Sequence, residues 1–353
     1  MRIASLGTAL PDRSYSQEEI FRSLSSIWDR GPEFESRART LFDNVCVDRR
    51  HLARPLEDYL SFESFGQTND IWIEQAMDLG QKAIAEALST AGLGAKDIDA
   101  LFVTSVTGVC SPSLDARLFN RMGLRPDLKR IPLFGLGCVA GVSGIARASE
   151  YVRAFPDQVA VLLSVELCSL TFQREDLSIA NLIATGLFGD GAAAVVIVGA
   201  ERARKMSCEG PRILDSRSNI YPDTEEVMGW RIGESGFELI LSEGVPTMAR
   251  EGLGPDVDRF LGDKQLTRKD ICSWICHPGG PKVLRAMQES LALGDEDVAF
   301  SWDTLREQGN LSSTSVLMVL RRVMDQPRPP DGSRGLMLAM GPAFCSEIVL
   351  VQW

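Results

Sequence analysis

Three segments of the chain carry residue types that together suit acyl-transfer chemistry. The first is Phe134-Gly135-Leu136-Gly137-Cys138-Val139-Ala140-Gly141-Val142-Ser143-Gly144. Glycines crowd the thiol on both sides, which suits a tight strand-to-helix turn and close approach of a ligand to the backbone. A thiol at a helix start meets partial positive charge that favours thiolate. Flanking N–H groups there suit an oxyanion on an acyl thioester. A cysteine taken at random packs more often than it reacts, but this setting favours a nucleophile. The second segment is Ile275-Cys276-His277-Pro278-Gly279-Gly280-Pro281-Lys282, a strand-like run ending in a Pro-Gly-Gly turn. The chain has 2 histidines, His51 and His277, so any mechanism that needs an imidazole uses one of them. His51 lies among charges in Asp48-Arg49-Arg50-His51 and reads as a surface or salt-bridged residue. His277 at a strand end suits a thiolate–imidazolium couple or a donor to a thioester oxygen; a loop histidine satisfying backbone groups is the plain alternative. The third is Gly309-Asn310-Leu311-Ser312-Ser313-Thr314-Ser315. Asn is a favoured N-cap, and Ser312 or Ser313 can share that job. An amide donor is also what a developing enolate needs, since a carboxylate would repel it.

The elements that hold these residues read as alternating strands and helices, an α/β chain. Asp99 to Ser105 and Val159 to Val165 are apolar runs without alternation, suited to strands covered on both faces. Asn69 to Ala91 reads as a helix stopped by Gly92 and Gly94. The pattern then repeats. Gly137-Cys138 opens a helix to about Phe155, followed by Leu187-Phe188-Gly189-Asp190-Gly191 and a strand from Ala192 to Val198. Gly309-Asn310 opens a helix to about Met324, followed by a strand around Leu336 to Met340, Gly341-Pro342, and Ile348 to Val351. The expectation is two layered halves, residues 1–200 with the cysteine and 201–353 with the histidine and asparagine, with Cys138 and Asn310 at comparable helix starts.

Bulk properties narrow the partners. The net charge is −11 without a basic run, which argues against nucleic acid. The apolar runs are too short to span a bilayer, and the opening residues read as a strand rather than a signal peptide, so a cytoplasmic protein is expected. Of the 8 cysteines, Cys272 and Cys276 with His277 have ligand-like spacing, but no second cluster completes a tetrahedral set; no metal is expected.

Taken together, Gly-Cys-Val-Ala-Gly, His-Pro-Gly-Gly-Pro-Lys and Gly-Asn-Leu-Ser-Ser, with Leu187 to Ala193 and Gly341-Pro342, resemble the type III polyketide synthases, the chalcone and stilbene synthase superfamily, from about residue 1 to Trp353. The resemblance implies a thiolase-like αβαβα layered fold with internally duplicated halves, a homodimer, and CoA thioesters as substrates with no cofactor. It implies that Cys138 is the acylated nucleophile, while His277 and Asn310 hold the thioester oxygen and the enolate. Phe188 corresponds to the gatekeeper phenylalanine, Leu239 stands at the second gatekeeper, and Trp230 stands where plant members carry a cyclisation-pocket glycine. Cys168, Thr171, Ser312, Gly341 and Pro342 join the implied substrate site. Thr40 and Asn44 replace basic residues that usually grip CoA, leaving Arg37, Arg39 and Lys282 for that role. Ser164 to Gln173 and Met228-Gly229-Trp230 are similar to bacterial alkylpyrone and alkylresorcinol synthases. The expected activity is therefore iterative decarboxylative condensation of malonyl-CoA onto an acyl-CoA starter, closing to an alkylpyrone or alkylresorcinol. The alternatives are a tetrahydroxynaphthalene-type synthase using malonyl-CoA only, for which Cys168 also speaks, and a ketoacyl-ACP synthase III-like enzyme performing a single round. A silent thiolase-fold partner has no need of all three site residues. A Cys-His hydrolase lacks an acidic partner for the histidine.

Overall fold

The unbroken apolar runs do form strands buried on both faces. The structure, a computed structural model, describes residues 1–28 and 30–353. In chain order the strands used below are β1 (Arg2–Ala9), β2 (Ala100–Thr104), β3 (Lys129–Leu133), β4 (Val159–Leu167), β5 (Asp190–Val198), β6 (Arg212–Ile220), a hairpin of β7 (Met228–Gly233) and β8 (Gly236–Leu241), then β9 (Ile271–Cys276), β10 (Arg334–Gly341) and β11 (Cys345–Gln352). The helices are α1 (Phe65–Thr90), α2 (Ala140–Ala154), α3 (Ile179–Leu187), α4 (Val245–Gly262), α5 (Pro281–Leu291) and α6 (Ser315–Met324).

One mixed sheet runs in the order β9-β10-β11-β6-β1-β5-β4-β2-β3. Its seam is β1 against β6, which pair only at Arg2 and Arg212. Outward from the seam on one side, β1–β5 and β5–β4 are antiparallel and β4–β2 is parallel. On the other side, β6–β11 and β11–β10 are antiparallel and β10–β9 is parallel. The same succession of pairing senses on both sides of the seam is the internal duplication.

Successive side chains of a strand point to opposite faces, and here the faces meet different cores. Leu101, Val103, Val161, Leu163, Ala194 and Val196 pack in an outer cluster under α1. Their neighbours Ala100, Phe102, Ala160, Leu162, Ala193 and Val195 pack in a middle cluster with Val142 and Ile145 of α2 and Val316, Leu317 and Leu320 of α6. Met337, Ala339 and Val349 reach that same middle cluster from the second half. Leu336, Leu338, Ile348 and Leu350 face a third cluster with Leu253 and Val257 of α4 and Leu284 and Met287 of α5. The layers are thus α1, first-half strands, α2 with α6, second-half strands, and α4 with α5. Full burial of each aliphatic side chain stabilises by roughly 1.5–3 kcal/mol, so the two-sided strands carry much of the fold's apolar gain.

Two boundaries differ from the sequence expectation. α1 starts four residues earlier, because the Ser64 hydroxyl accepts from Gln67 N at 3.3 Å and caps it. The helices following Cys138 and Asn310 each begin with a 3₁₀ turn, Gly137–Val139 and Ser312–Thr314. Gly137 has φ 53° and Ser312 has φ 49°. The positional counterpart of Cys138 in the second half is therefore Ser313, and Asn310 lies before that turn rather than at its start. No helix among the described residues is long and apolar enough to cross a membrane.

Candidate active site

The Cys138 turn is gripped from two directions. A Cβ on Gly137 would come within 2.5 Å of the Pro342 ring, and one on Gly341 within 3.0 Å of Leu136 O and of Val139. Gly341-Pro342, at the end of β10, therefore presses directly on the turn. On the other side a Cβ on Gly141 would lie 2.3 Å from Ser313 O, so the first turn of α2 abuts the Ser312–Thr314 backbone. That approach brings the Cys138 thiol to the Ser312 hydroxyl, to which it donates at 3.7 Å.

Asn310 is held by its main chain and its amide oxygen. Its N–H donates to Leu187 O at 2.9 Å, and Gly189 N–H donates to Asn310 O at 3.0 Å, a parallel bridge between Phe188 and Asn310. Its Oδ1 accepts from Ser312 N at 2.8 Å and from Ser315 Oγ at 3.4 Å. This spends the oxygen and turns Nδ2 outward, where it donates to Gly279 O at 3.2 Å and keeps a second hydrogen. Gly279 lies against the His277 ring, which a Cβ there would meet at 3.4 Å. His277 itself hangs from β10 through its N–H to Leu338 O at 2.9 Å. Contacts thus run Cys138–Ser312–Asn310–Gly279–His277, and the fold collects residues 138, 277 and 310 into one site.

Its electrostatics depart from the thiolate expectation. His277 is buried, and neither ring nitrogen has a partner among the described residues. Burial without compensation pulls its pKa down to about 3. Burial pushes the Cys138 thiol up to about 12, with Glu166 and Cys345 adding to the rise while Ser312 and Asn310 oppose it. In both groups burial favours the neutral form.

Cys168, Thr171, Phe188, Trp230 and Leu239 line a cavity of about 50 Å³ whose wall also includes Arg50 but not Cys138, His277 or Asn310. The hairpin register sets Leu239 opposite Trp230. The Trp230 ring packs on Phe188 and on Phe237, each at 6.2 Å between centroids. Cys168 is buried and its thiol is raised by burial. Thr171, closing the same 3₁₀ turn, donates its hydroxyl to Cys168 O at 2.8 Å. Arg37 and Lys282 are exposed and outside this cavity, Lys282 immediately after the His277 loop in α5. Arg39 is tied to Glu18 at 2.7 Å and sits over the Phe21 ring.

Glu166 and Arg50 are among the buried charges that the sequence did not reveal. Glu166 sits in β4 with no exposure. Its Oε2 accepts from Ser105 Oγ at 3.1 Å, Val106 N at 3.1 Å and Thr107 Oγ1 at 2.9 Å, and its Oε1 accepts from Ser313 Oγ. Burial raises its pKa against those donors. A lone acidic residue inside an uninterrupted apolar strand was the available signal. Arg50 is 2% exposed, although its neighbours in sequence are charged and suggest a surface. His51 beside it is not salt-bridged among the described residues; its Nδ1 bonds Pro11 O at 2.7 Å.

Known proteins resemble the whole chain. The model of chalcone and stilbene synthases, N-terminal domain, matches residues 2–202, and that of the C-terminal domain matches residues 212–353. A 1,3,6,8-tetrahydroxynaphthalene synthase of Streptomyces peucetius subsp. caesius is 48% identical, over 99% of this chain and 93% of its own length. A 3,5-dihydroxyphenylacetyl-CoA synthase of Streptomyces toyocaensis is 33% identical over 100% of this chain and 90% of its own. Among solved structures, the 1,3,6,8-tetrahydroxynaphthalene synthase of Streptomyces coelicolor A3(2), a bacterial type III polyketide synthase, superposes with a TM-score of 0.94 at 32% identity, covering 100% of this chain and 99% of that one.

Proposed function

The chain belongs to the chalcone and stilbene synthase family, the type III polyketide synthases, and from that premise we propose that it builds its product from malonyl-CoA alone and closes it to a polyhydroxylated arene of the tetrahydroxynaphthalene kind. The observation that carries this reading is the small size of the cavity beside Cys168, about 50 Å³. Its wall is mainly apolar, with Trp230 and Leu239 filling the hairpin side, and the hydroxyls of Tyr59, Ser169, Thr171 and Thr185 are already bonded within the protein. A long saturated starter tail exceeds a space of that size. The similar proteins add support. Tetrahydroxynaphthalene and 3,5-dihydroxyphenylacetyl-CoA carry oxygen on alternate ring carbons, the pattern left when two-carbon units close without an alkyl tail. The alkylpyrone or alkylresorcinol reading has no comparable support.

The residues take the following parts. Cys138 attacks the thioester of the first malonyl-CoA. His277 accepts the thiol proton as the C–S bond forms and returns it to the departing CoA thiolate. Asn310 Nδ2 and His277 then donate to the thioester oxygen of the next malonyl-CoA. As CO2 leaves, the electron pair moves onto that oxygen, and neutral donors hold the enolate without repelling it. The enolate carbon attacks the Cys138 thioester, the sulfur is released, and the lengthened chain leaves on CoA to be reloaded. Exposed Arg37 and Lys282 are the cations left to meet CoA phosphates.

The test is product analysis by mass spectrometry with malonyl-CoA alone and with acyl-CoA starters from acetyl to long-chain. One aromatic product from malonyl-CoA alone, unchanged by starters, is expected. Pyrones whose mass tracks the starter would overturn the malonyl-only reading, and a diketide alone would point to the single-round condensing enzyme. Cys138→Ala is expected to abolish product with the fold intact.

A further inference from the structure

Arg50 lies wholly inside the protein and makes no direct ion pair among the described residues. Its Nη1 donates to Thr185 O at 2.6 Å and to Phe188 O at 2.7 Å, and its Nη2 donates to Gln17 Oε1 at 2.9 Å. Thr185 and Phe188 stand at the C-terminal end of α3, where carbonyls have no partner within the helix and partial negative charge collects. A buried cation is costly unless such acceptors compensate it. Here the buried Asp190 carboxylate offsets part of the cost at longer range, and the two carbonyl acceptors lie at one spot. Phe188 is also the residue bridged to Asn310. The Arg50 chain packs beneath that crossing as well. A Cβ on Gly309, whose φ is 74°, would meet Leu187 O at 2.6 Å and Arg50 Cδ at 3.0 Å.

We propose that Arg50 is a positioning residue for decarboxylation, fixing the Phe188–Asn310 crossing and through it the direction of the Asn310 amide. The logic is geometric. Asn310 takes its main-chain place from Leu187 O and Gly189 N, the two residues flanking Phe188. Their place in turn depends on how α3 ends, and the guanidinium holds two carbonyls of that end through Nη1 while Gln17 fixes Nη2. The Cys138 turn is held elsewhere, by Pro342 and by Ser313. Removing the Arg50 fork should therefore disturb the step that needs Asn310 more than the step that needs only Cys138. The inference rests on the reading above that Asn310 holds the enolate.

The experiment measures the two half-reactions separately: Cys138 acylation by malonyl-CoA, from intact mass, and CO2 release from labelled malonyl-CoA. Arg50→Gln, Arg50→Lys and Gln17→Leu are compared with wild type and with Asn310→Ala, all scaled to the folded fraction. Arg50→Gln is expected to lose decarboxylation about 100-fold, the scale of an ångström of misplacement, with acylation much less affected. Arg50→Lys is expected to recover part of the loss. Gln17→Leu, which frees only one guanidinium nitrogen, is expected to fall between Arg50→Lys and wild type. Equal losses in both half-reactions, or no loss in folded Arg50 and Gln17 variants while Asn310→Ala is inactive, would overturn the inference alone. Undiminished decarboxylation in Asn310→Ala would instead remove the reading on which it rests.

Discussion

Gly141→Ala tests how the two helix starts create the site. A methyl group there would lie 2.3 Å from Ser313 O and 2.7 Å from Val316 Cγ1. The oxygen belongs to the backbone and cannot rotate away. The contact has to open to at least 3.0 Å, a separation of about 0.7 Å between the α2 start and the Ser312–Thr314 turn. The thiol–hydroxyl contact that spans the same gap is already 3.7 Å long and would be lost. Overpacking of this kind costs about 1–3 kcal/mol, partly offset by the roughly 1 kcal/mol that alanine gains over glycine in a helix. A shift of nearly an ångström between Cys138 and Asn310 should slow product formation by about 10- to 100-fold. Gly144→Ala, one turn on, is the matched control. Its methyl would meet Leu162 Cδ1 at 2.5 Å and Cδ2 at 2.8 Å, side-chain ends that can move without touching the site. Urea unfolding and product formation by mass spectrometry, measured on both variants, separate the effects. Both should change stability modestly, and only Gly141→Ala should lose turnover per folded molecule. A fully active, folded Gly141→Ala would refute the claim that this backbone contact sets the site.

Other outcomes follow from the same geometry. With the Cys138 thiol pushed up to about 12 and His277 pulled down to about 3, iodoacetamide alkylation of Cys138 in substrate-free enzyme should keep rising from pH 6 to 9 with a slope of about one decade per pH unit; a plateau near neutrality would indicate a standing thiolate–imidazolium pair. His277 binds its proton at about 3 folded instead of 6.5, so the unfolded chain holds more protons between those values and stability should rise with pH across that window. Urea unfolding of His277→Gln should show a pH slope smaller by about one proton there, and an unchanged slope would mean the imidazole is not buried neutral. Glu166→Gln places an amide N–H₂ or a lone C=O among four donors and should destabilise by about 1–3 kcal/mol, read by thermal unfolding. Trp230→Ala removes the ring packed on Phe188 and Phe237 and should let longer acyl-CoA starters enter product; an unaltered starter profile would show that Trp230 does not limit the cavity.

The residues with distinctive chemistry were legible from type and rarity. Two histidines left one plausible imidazole, and glycines on both sides of Cys138 announced a turn approached by other backbone, which Pro342 and Ser313 provide. The strands were legible because unbroken apolar runs require cover on both faces. Glu166 and Arg50 were not. Their partners, Ser105, Thr107 and Ser313 for one and Thr185, Phe188 and Gln17 for the other, are distant in sequence. Nothing local distinguishes a buried arginine in Asp48-Arg49-Arg50-His51 from a surface one.

What the sequence by itself determined was the inventory and its order: one thiol in a glycine turn, one histidine at a strand end, one asparagine before a serine run, on two similar α/β halves. That much follows from local chemistry and hydrophobic period. The tertiary structure alone decided which residue pairs with which. It made Ser313, not Asn310, the counterpart of Cys138, and it turned the Asn310 amide nitrogen toward the site by spending its oxygen on Ser312 and Ser315. It also decided protonation, because the cost of charge depends on burial and on partners brought from across the fold. Burial pushes up the same thiol that a helix start would acidify in water.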